Sequence, residues 1–166
     1  MEVKDMDKLA RIINYIDKAL ASIEIPVVFI TELGIISVLL YGAINRYFIH
    51  GTFPQEAELA WIFHIWLVFI GGSLVLRGGD HPFVGIIRDK RGKLYKTIMM
   101  LLCILFSAVM LYYTIDYYGV YGIQKTTFLR LPKSILYIAM ILGFTFMIIR
   151  YIIKIILLYR PLEVSK

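Results

Sequence analysis

Residues 57–76 of this chain read AELAWIFHIWLVFIGGSLVL. Apolar side chains dominate the stretch, and its length of about twenty residues is what a helix needs to cross the hydrocarbon core of a bilayer. The residues that follow, RGGDHP at 77–82, contain the glycines and the proline that end a helix. The stretch therefore predicts a membrane-spanning helix.

Three further apolar runs of similar length lie at about 25–47, 97–118 and 134–158. The whole chain has 166 residues, of which 60% are hydrophobic, and its mean hydropathy is +0.76. A soluble domain is nearer half apolar. Backbone groups in lipid must be satisfied within the segment, so each run is expected to be helical. We predict one all-α integral membrane domain over residues 1–166 with four transmembrane helices.

The segment at about 5–22 is polar, but apolar residues recur in it at steps of three and four, which predicts an amphipathic helix. Basic residues on or beside its polar side suit a helix that lies along an anionic membrane surface. A helix packed on the cytoplasmic ends of the bundle fits equally well. The apolar region starts only near Ile25, so no cleavable signal peptide is expected and the first span is retained.

Lysine and arginine are distributed unequally between the two sides of the predicted spans. Fourteen lie in the N-terminal segment, the middle loop and the C-terminal end, whereas three lie on the opposite side and Arg46 stands at the border. The positive-inside rule predicts that both termini and the middle loop are cytoplasmic. Because these charges cluster at helix ends and form no continuous face, membrane lipids are the expected partner and nucleic acid is not.

The residue types needed for common catalytic and metal sites do not occur together. Cys103 is the single cysteine, which excludes an intramolecular disulfide, a CxxC motif and a cysteine zinc site. Of three histidines only His64 lies well within a span, so a facing pair of haem ligands is not expected. The sequence contains no HExxH motif and no phosphate-binding glycine loop. We predict no enzyme, no catalytic residues, no metal and no cofactor.

Glu32 is the acid that interrupts the first span, and ionisable groups at that depth are costly and often functional. Two interpretations are open: a proton-coupled role, or a buried acid that is hydrogen-bonded to a neighbouring helix, which we favour. Arg46 and Glu58 bracket a short outer hairpin at 50–57, and we expect them to pair. The alternative is two solvated charges of little energetic worth.

Small residues mark places where helices could approach closely. Ala139 and Gly143 form a small-xxx-small face in the fourth span, and Gly71 and Gly72 lie in the second. The close contact could be made within this chain or with a partner.

The order of motifs between Arg46 and His81 is the most specific feature of the sequence. Arg46 closes the first span, FPQEAELA follows at 53–60, WLVFIGG stands at 66–72, and Arg77 precedes Asp80-His81. This order resembles the small membrane subunit of tripartite ATP-independent periplasmic (TRAP) transporters. The motif core covers about 36 residues, and the four-span layout extends the resemblance over most of the chain. Pro82 and Gly85 depart from it, since the family often has an aliphatic residue and an aspartate there.

The resemblance implies a helper subunit in the inner membrane of a bacterium. A large membrane subunit would hold the sodium and substrate sites, and a periplasmic substrate-binding protein would capture an organic acid such as a C4-dicarboxylate or a sialic acid. The small subunit would enlarge the scaffold of the large one and help dock the binding protein. The family-motif residues, which are candidate interface residues, are Arg46, Glu58, Trp66, Gly71, Gly72, Arg77 and His81.

A second interpretation comes from another functional class. A small proton-coupled multidrug-type exporter, built as a dimer of four-helix subunits, would use one membrane glutamate, and Glu32 fits that role. The N-terminal amphipathic helix, the long basic middle loop and the length of the chain argue against it.

Overall fold

The structure, a computed structural model, describes residues 2–78 and 92–159, with side chains at Lys8 and from Ala10 onward. Within these ranges the chain forms four long helices: α1 (Glu2–Ile44), α2 (Glu56–Arg77), α3 (Lys93–Tyr121) and α4 (Ser134–Tyr159). A π-helical turn at Asn45–Ile49 follows α1. Each of the four helices is long and apolar enough to cross a membrane. The predicted all-α membrane fold is confirmed.

The predicted amphipathic segment and the first span form one helix, α1, which passes through Pro26 without a break. The N-terminal part of α1 buries Ile13, Leu20 and Ala21. The helix thus continues through a proline that removes one backbone donor. At 1.5 Å per residue a helix of this length is roughly twice as long as the hydrocarbon core is thick, so part of α1 must extend beyond it.

The four helices pack side by side in the order α1, α2, α4, α3. Helix α1 touches α4 only slightly, and no other pair of helices is in contact within the described ranges. The arrangement is therefore an open layer instead of a closed four-helix bundle. Such a layer leaves apolar surface uncovered: large apolar side chains are exposed along every helix, and on α2 these residues, Trp61, Val68 and Val75, lie on one side. In water such surface would be unstable, but lipid or a membrane partner can cover it.

Small residues bring α2 and α4 close together. Ala139 is fully buried, and a Cβ atom added at Gly143 would lie 2.7 Å from the backbone oxygen of Phe69. A Cβ at Gly72 would lie 2.6 Å from the terminal methyl of Met147. The close approach that the sequence left open is thus made within this chain at both glycines. Helix α3 meets α4 through a small polar face that buries Ser107 and Thr114, two turns apart.

Candidate functional site: a buried charge cluster and an outward-facing acid

Three helices bring polar side chains together near the end of the layer that carries the N-terminal half of α1. Arg150 of α4 has a side chain that is 3% exposed. Its Nη1 donates to Oδ1 of Asp17 at 2.6 Å, its Nη2 donates to Glu24, and its Nε donates to the hydroxyl of Ser73 at 3.1 Å. One guanidinium therefore joins α1, α2 and α4.

Two further hydrogen bonds join members of the same group. Ser73 donates to Oε1 of Glu24 at 2.6 Å, and Arg77 donates from Nε to Oδ2 of Asp17 at 2.9 Å. We call Asp17, Glu24, Ser73, Arg77 and Arg150 the charge cluster. It holds two carboxylates and two guanidiniums, so its charges balance. Burial of a charge is costly unless it is paired and hydrogen-bonded, and Glu24, which is fully buried, meets both conditions.

The local spacing of the residues explains how the charge cluster is assembled. Asp17 and Glu24 are seven residues apart and thus share one face of α1, while Ser73 and Arg77 are four apart on one face of α2. The sequence analysis missed the cluster because it counted Arg150 only as a membrane-topology signal and assigned no role to Asp17, Glu24 or Ser73. Arg150 lies well inside the predicted 134–158 span, and that depth was the signal that it needed an acidic partner.

At the opposite end of the layer the predicted pair between Arg46 and Glu58 is wrong. Arg46 donates to Glu56 at 3.4 Å, and its side chain is 65% exposed. Glu58 instead accepts from the backbone N–H groups of Phe128 at 2.8 Å and Leu129 at 3.3 Å. Side chains that are two residues apart on a helix point in nearly opposite directions, so only one of Glu56 and Glu58 can face α1. Glu58 thus ties the loop between α3 and α4 to α2.

Glu32, which the sequence led us to expect as a buried acid, is not buried against another helix among the described residues. Thr31, the preceding residue, is buried, while Glu32 is exposed on the surface of α1. Successive residues of a helix point about 100° apart, which turns Glu32 away from the contact with α2. Within the described residues Glu32 has no hydrogen-bonding or ionic partner. His64 of α2 is likewise exposed and unpartnered there.

Comparison with protein families gives the site its context. Residues 35–160 match the family described as "Tripartite ATP-independent periplasmic transporters, DctQ component". The match covers well over half of the chain.

This chain belongs to the DctQ family.

A search of curated proteins found no match. The family confirms the resemblance drawn from the motifs, and it makes this chain a multi-pass membrane component of a tripartite transporter. Ser73, Arg77 and Arg150 lie within the matched residues, whereas Asp17 and Glu24 precede them. A DctQ component is by its description part of a transporter. No group of three or more histidine, cysteine or acidic side chains that could hold a metal occurs in the described part of the chain.

The other motif residues of this DctQ chain have different surroundings. Trp66 is half-buried, and Arg77 belongs to the charge cluster. A Cβ atom added at Gly71 would lie 3.7 Å from the side chain of Val28 on α1. His81, Asp80, Pro82 and Gly85 lie outside the described residues. The motif therefore contains residues that hold the chain's own helices together, and among its described members Gly72, Arg77 and Glu58 have contacts within the chain that account for their positions.

Proposed function

We propose that this chain is the small membrane subunit of a sodium-driven TRAP transporter that takes up an organic acid. In this role it enlarges the static scaffold of the large membrane subunit, which binds the sodium and the substrate. The open single layer of helices is the observation that carries the proposal. A layer with uncovered apolar surface that also presents an ionisable side chain within a span suits a subunit that is completed by a partner.

The path of the backbone supports the division of labour between the two subunits. Transporter sites near the bilayer midplane are typically formed by helices that are interrupted there. The four described spans are continuous helices, and the π-helical turn lies at the end of the first one. Every carboxylate oxygen of the charge cluster accepts a hydrogen bond within the chain, so its two acids are engaged in joining the helices.

We further propose that the protein lies in the bacterial inner membrane with both termini in the cytoplasm. The unequal distribution of lysine and arginine supports this orientation. The hairpin at 45–55 and the α3–α4 loop at 122–133 then face the periplasm, and Glu58 links them through α2. These segments would help dock the substrate-binding protein as it approaches from the periplasm.

The uptake of labelled organic acids into vesicles tests the function. Vesicles should contain the large subunit with or without this chain, and the substrate-binding protein should be supplied outside with a sodium gradient. We expect uptake only when all three proteins are present. Purified chain alone should transport nothing; proton-driven export by it, abolished in Glu32→Gln, would establish the exporter instead.

Cysteine labelling tests the orientation. In a Cys103→Ser background, a cysteine at Thr52 should react with a membrane-impermeant reagent added from the periplasm, and one at Lys93 should not. The reverse pattern would show that the orientation is inverted.

A further inference from the structure

One side of the α1–α2 pair carries a continuous uncovered surface. Exposed residues on α2 recur at steps of three, four and seven, which places them on one helical face. On α1, the exposed residues Glu32, Ile36 and Leu39 recur at steps of four and three, which places them on one helical face as well. We call these residues together the open face: Trp61, His64, Val68 and Val75 of α2, with Glu32, Ile36 and Leu39 of α1.

Two glycine contacts show that both rows lie on the same side of the layer. Gly71 approaches Val28 at one edge of the α1–α2 contact, and Gly34 approaches the ring of Phe63 at another part of it. Glu32 is four residues from Val28, and His64 is seven residues from Gly71. Residues with these spacings share a helical face, so both belong to the edge that Val28 and Gly71 define. Ile30 and Ser37, four and three residues from Gly34, belong to the Gly34 edge.

The same contacts place the two ionisable residues at similar depth. The ring of Phe63 contacts Gly34, and Gly71 lies near Val28. In this antiparallel pair of helices, both contacts place His64 within about 5 Å of Glu32 along the helix axis at 1.5 Å per residue. Glu32 is seven residues beyond Ile25, where the predicted first span begins, which is about 10 Å into that span by the same rise. That depth lies within the hydrocarbon core, where a carboxylate that faces lipid is strongly disfavoured.

We propose that the open face seats a transmembrane helix of the large subunit, and that this helix presents an arginine or lysine to Glu32 and His64. The inference rests on the proposed function and deepens it by naming the surface and the chemistry of its occupant. The acid selects a cation, and His64 beside it offers an imidazole nitrogen as a hydrogen-bond acceptor. Trp61, Val68 and Leu39 supply the apolar surface along which the partner helix packs.

Photocrosslinking from the two faces of the layer tests the location. A photoreactive amino acid replaces Val68 on the open face or Ile30 on the Gly34 edge; both side chains are exposed apolar ones. In membranes that contain the whole transporter, we expect position 68 to crosslink to the large subunit and position 30 to give no such product. A product from position 68 that contains only lipid or a second copy of this chain would overturn the proposal.

Charge reversal tests the chemistry. Glu32→Lys should abolish copurification of the large subunit, because two cations would meet at the contact, and Glu32→Gln should reduce it less. Ser37→Lys is the matched control, since Ser37 is an exposed polar residue of the same helix on the Gly34 edge. It should retain copurification. Full retention in Glu32→Lys would overturn the proposal.

The outcomes separate the two levels of inference. If the wild-type chain does not copurify with the large subunit at all, the proposed function itself fails. If the wild-type complex forms but position 68 gives no product with the large subunit, or charge reversal leaves the complex intact, only the assignment of the open face is wrong. Insertion of each variant is checked by its amount in washed membranes, so that loss of the chain is not mistaken for loss of the contact.

Discussion

Glu24 and Glu32 lie eight residues apart on the same helix, but they differ in burial and in hydrogen bonding. Glu24 is fully buried, where Ser73 and Arg150 donate hydrogen bonds to it from two other helices. Glu32 is exposed on the open face and has no partner within the described residues. An acid at membrane depth needs a donor or a cation. The charge cluster supplies one inside this chain, and the open face requires one from elsewhere.

Because only Glu24 is paired within the part of the chain that the structure describes, the two acids should contribute to different free energies, that of folding and that of assembly. In the charge cluster the pairing is complete, so removal of one member leaves its partner buried and uncompensated. On the open face Glu32 has no hydrogen-bonding or ionic partner among the described residues. We therefore expect changes in the charge cluster to affect the stability of the isolated subunit and changes on the open face to affect assembly.

The largest effect is expected for Arg150→Met. It leaves Glu24 buried without its cation and removes one of two partners from Asp17. Breaking a buried pair in this way costs about 3–5 kcal/mol. The free energy of unfolding of the purified chain in detergent micelles measures the loss.

A double variant provides the control for the charge cluster. Glu24→Leu combined with Arg150→Met replaces the pair by apolar side chains and leaves Asp17 bound to Arg77. Replacement of a whole buried pair is often close to neutral, so most of the stability should return. If Arg150→Met alone unfolds like the wild type, the charge cluster is not the interior contact that distinguishes Glu24 from Glu32.

The second test compares a glycine inside the layer with one at the edge of the open face. A Cβ at Gly143 would lie 2.6 Å from the Cβ of Phe69, whereas at Gly71 the nearest atom is 3.7 Å away. Gly143→Ala should cost about 1–3 kcal/mol, which is typical of overpacking. Gly71→Ala should leave the isolated chain nearly unchanged. Equal losses in the same unfolding assay would contradict the difference in packing.

The sequence predicted the fold well because its decisive signals are local. Apolar runs such as 57–76 define spans by their length, and the motif order from Arg46 indicated the family that the match confirms. The pattern could not show that α1 continues through Pro26, since that depends on Ile13 and Leu20 being buried against other helices.

The candidate site was harder to predict, because it depends on which faces of the helices meet. Glu32 was singled out for its depth, but depth does not tell whether a residue faces a neighbouring helix or the outside. Glu24 and Arg150 are 126 positions apart, and only the packing of α1, α2 and α4 brings them together. The predicted pair of Arg46 with Glu58 was wrong for the same reason, because the structure pairs Arg46 with Glu56 instead.

A local effect is expected for Glu58→Gln at the hairpin end. The carboxylate holds the amides of Phe128 and Leu129, and an amide is a weaker acceptor than a charged oxygen. Hydrogen exchange at these two amides should become faster while global unfolding changes little. Glu56→Gln is the matched control. Among the described residues the Glu56 side chain pairs only with the exposed Arg46, so this change should leave the exchange unchanged. Slow exchange in both variants would show that the loop does not depend on Glu58.

The smallest effect on the isolated chain is expected for Glu32→Gln, and this result bears most directly on the two acids. Because Glu32 has no partner within the described residues, its amide should change the free energy of unfolding by less than about 0.5 kcal/mol, as at other surface positions. The same change at Glu24 should cost about 1–3 kcal/mol, since it weakens the contacts with Arg150 and Ser73. In the complex the proposed contact gives Glu32 its partner, so Glu32→Gln should then reduce copurification of the large subunit. If Glu32→Gln destabilises the isolated chain as much as Glu24→Gln does, Glu32 already has a partner within its own subunit. The proposal that the open face binds a cation of the large subunit would then be wrong.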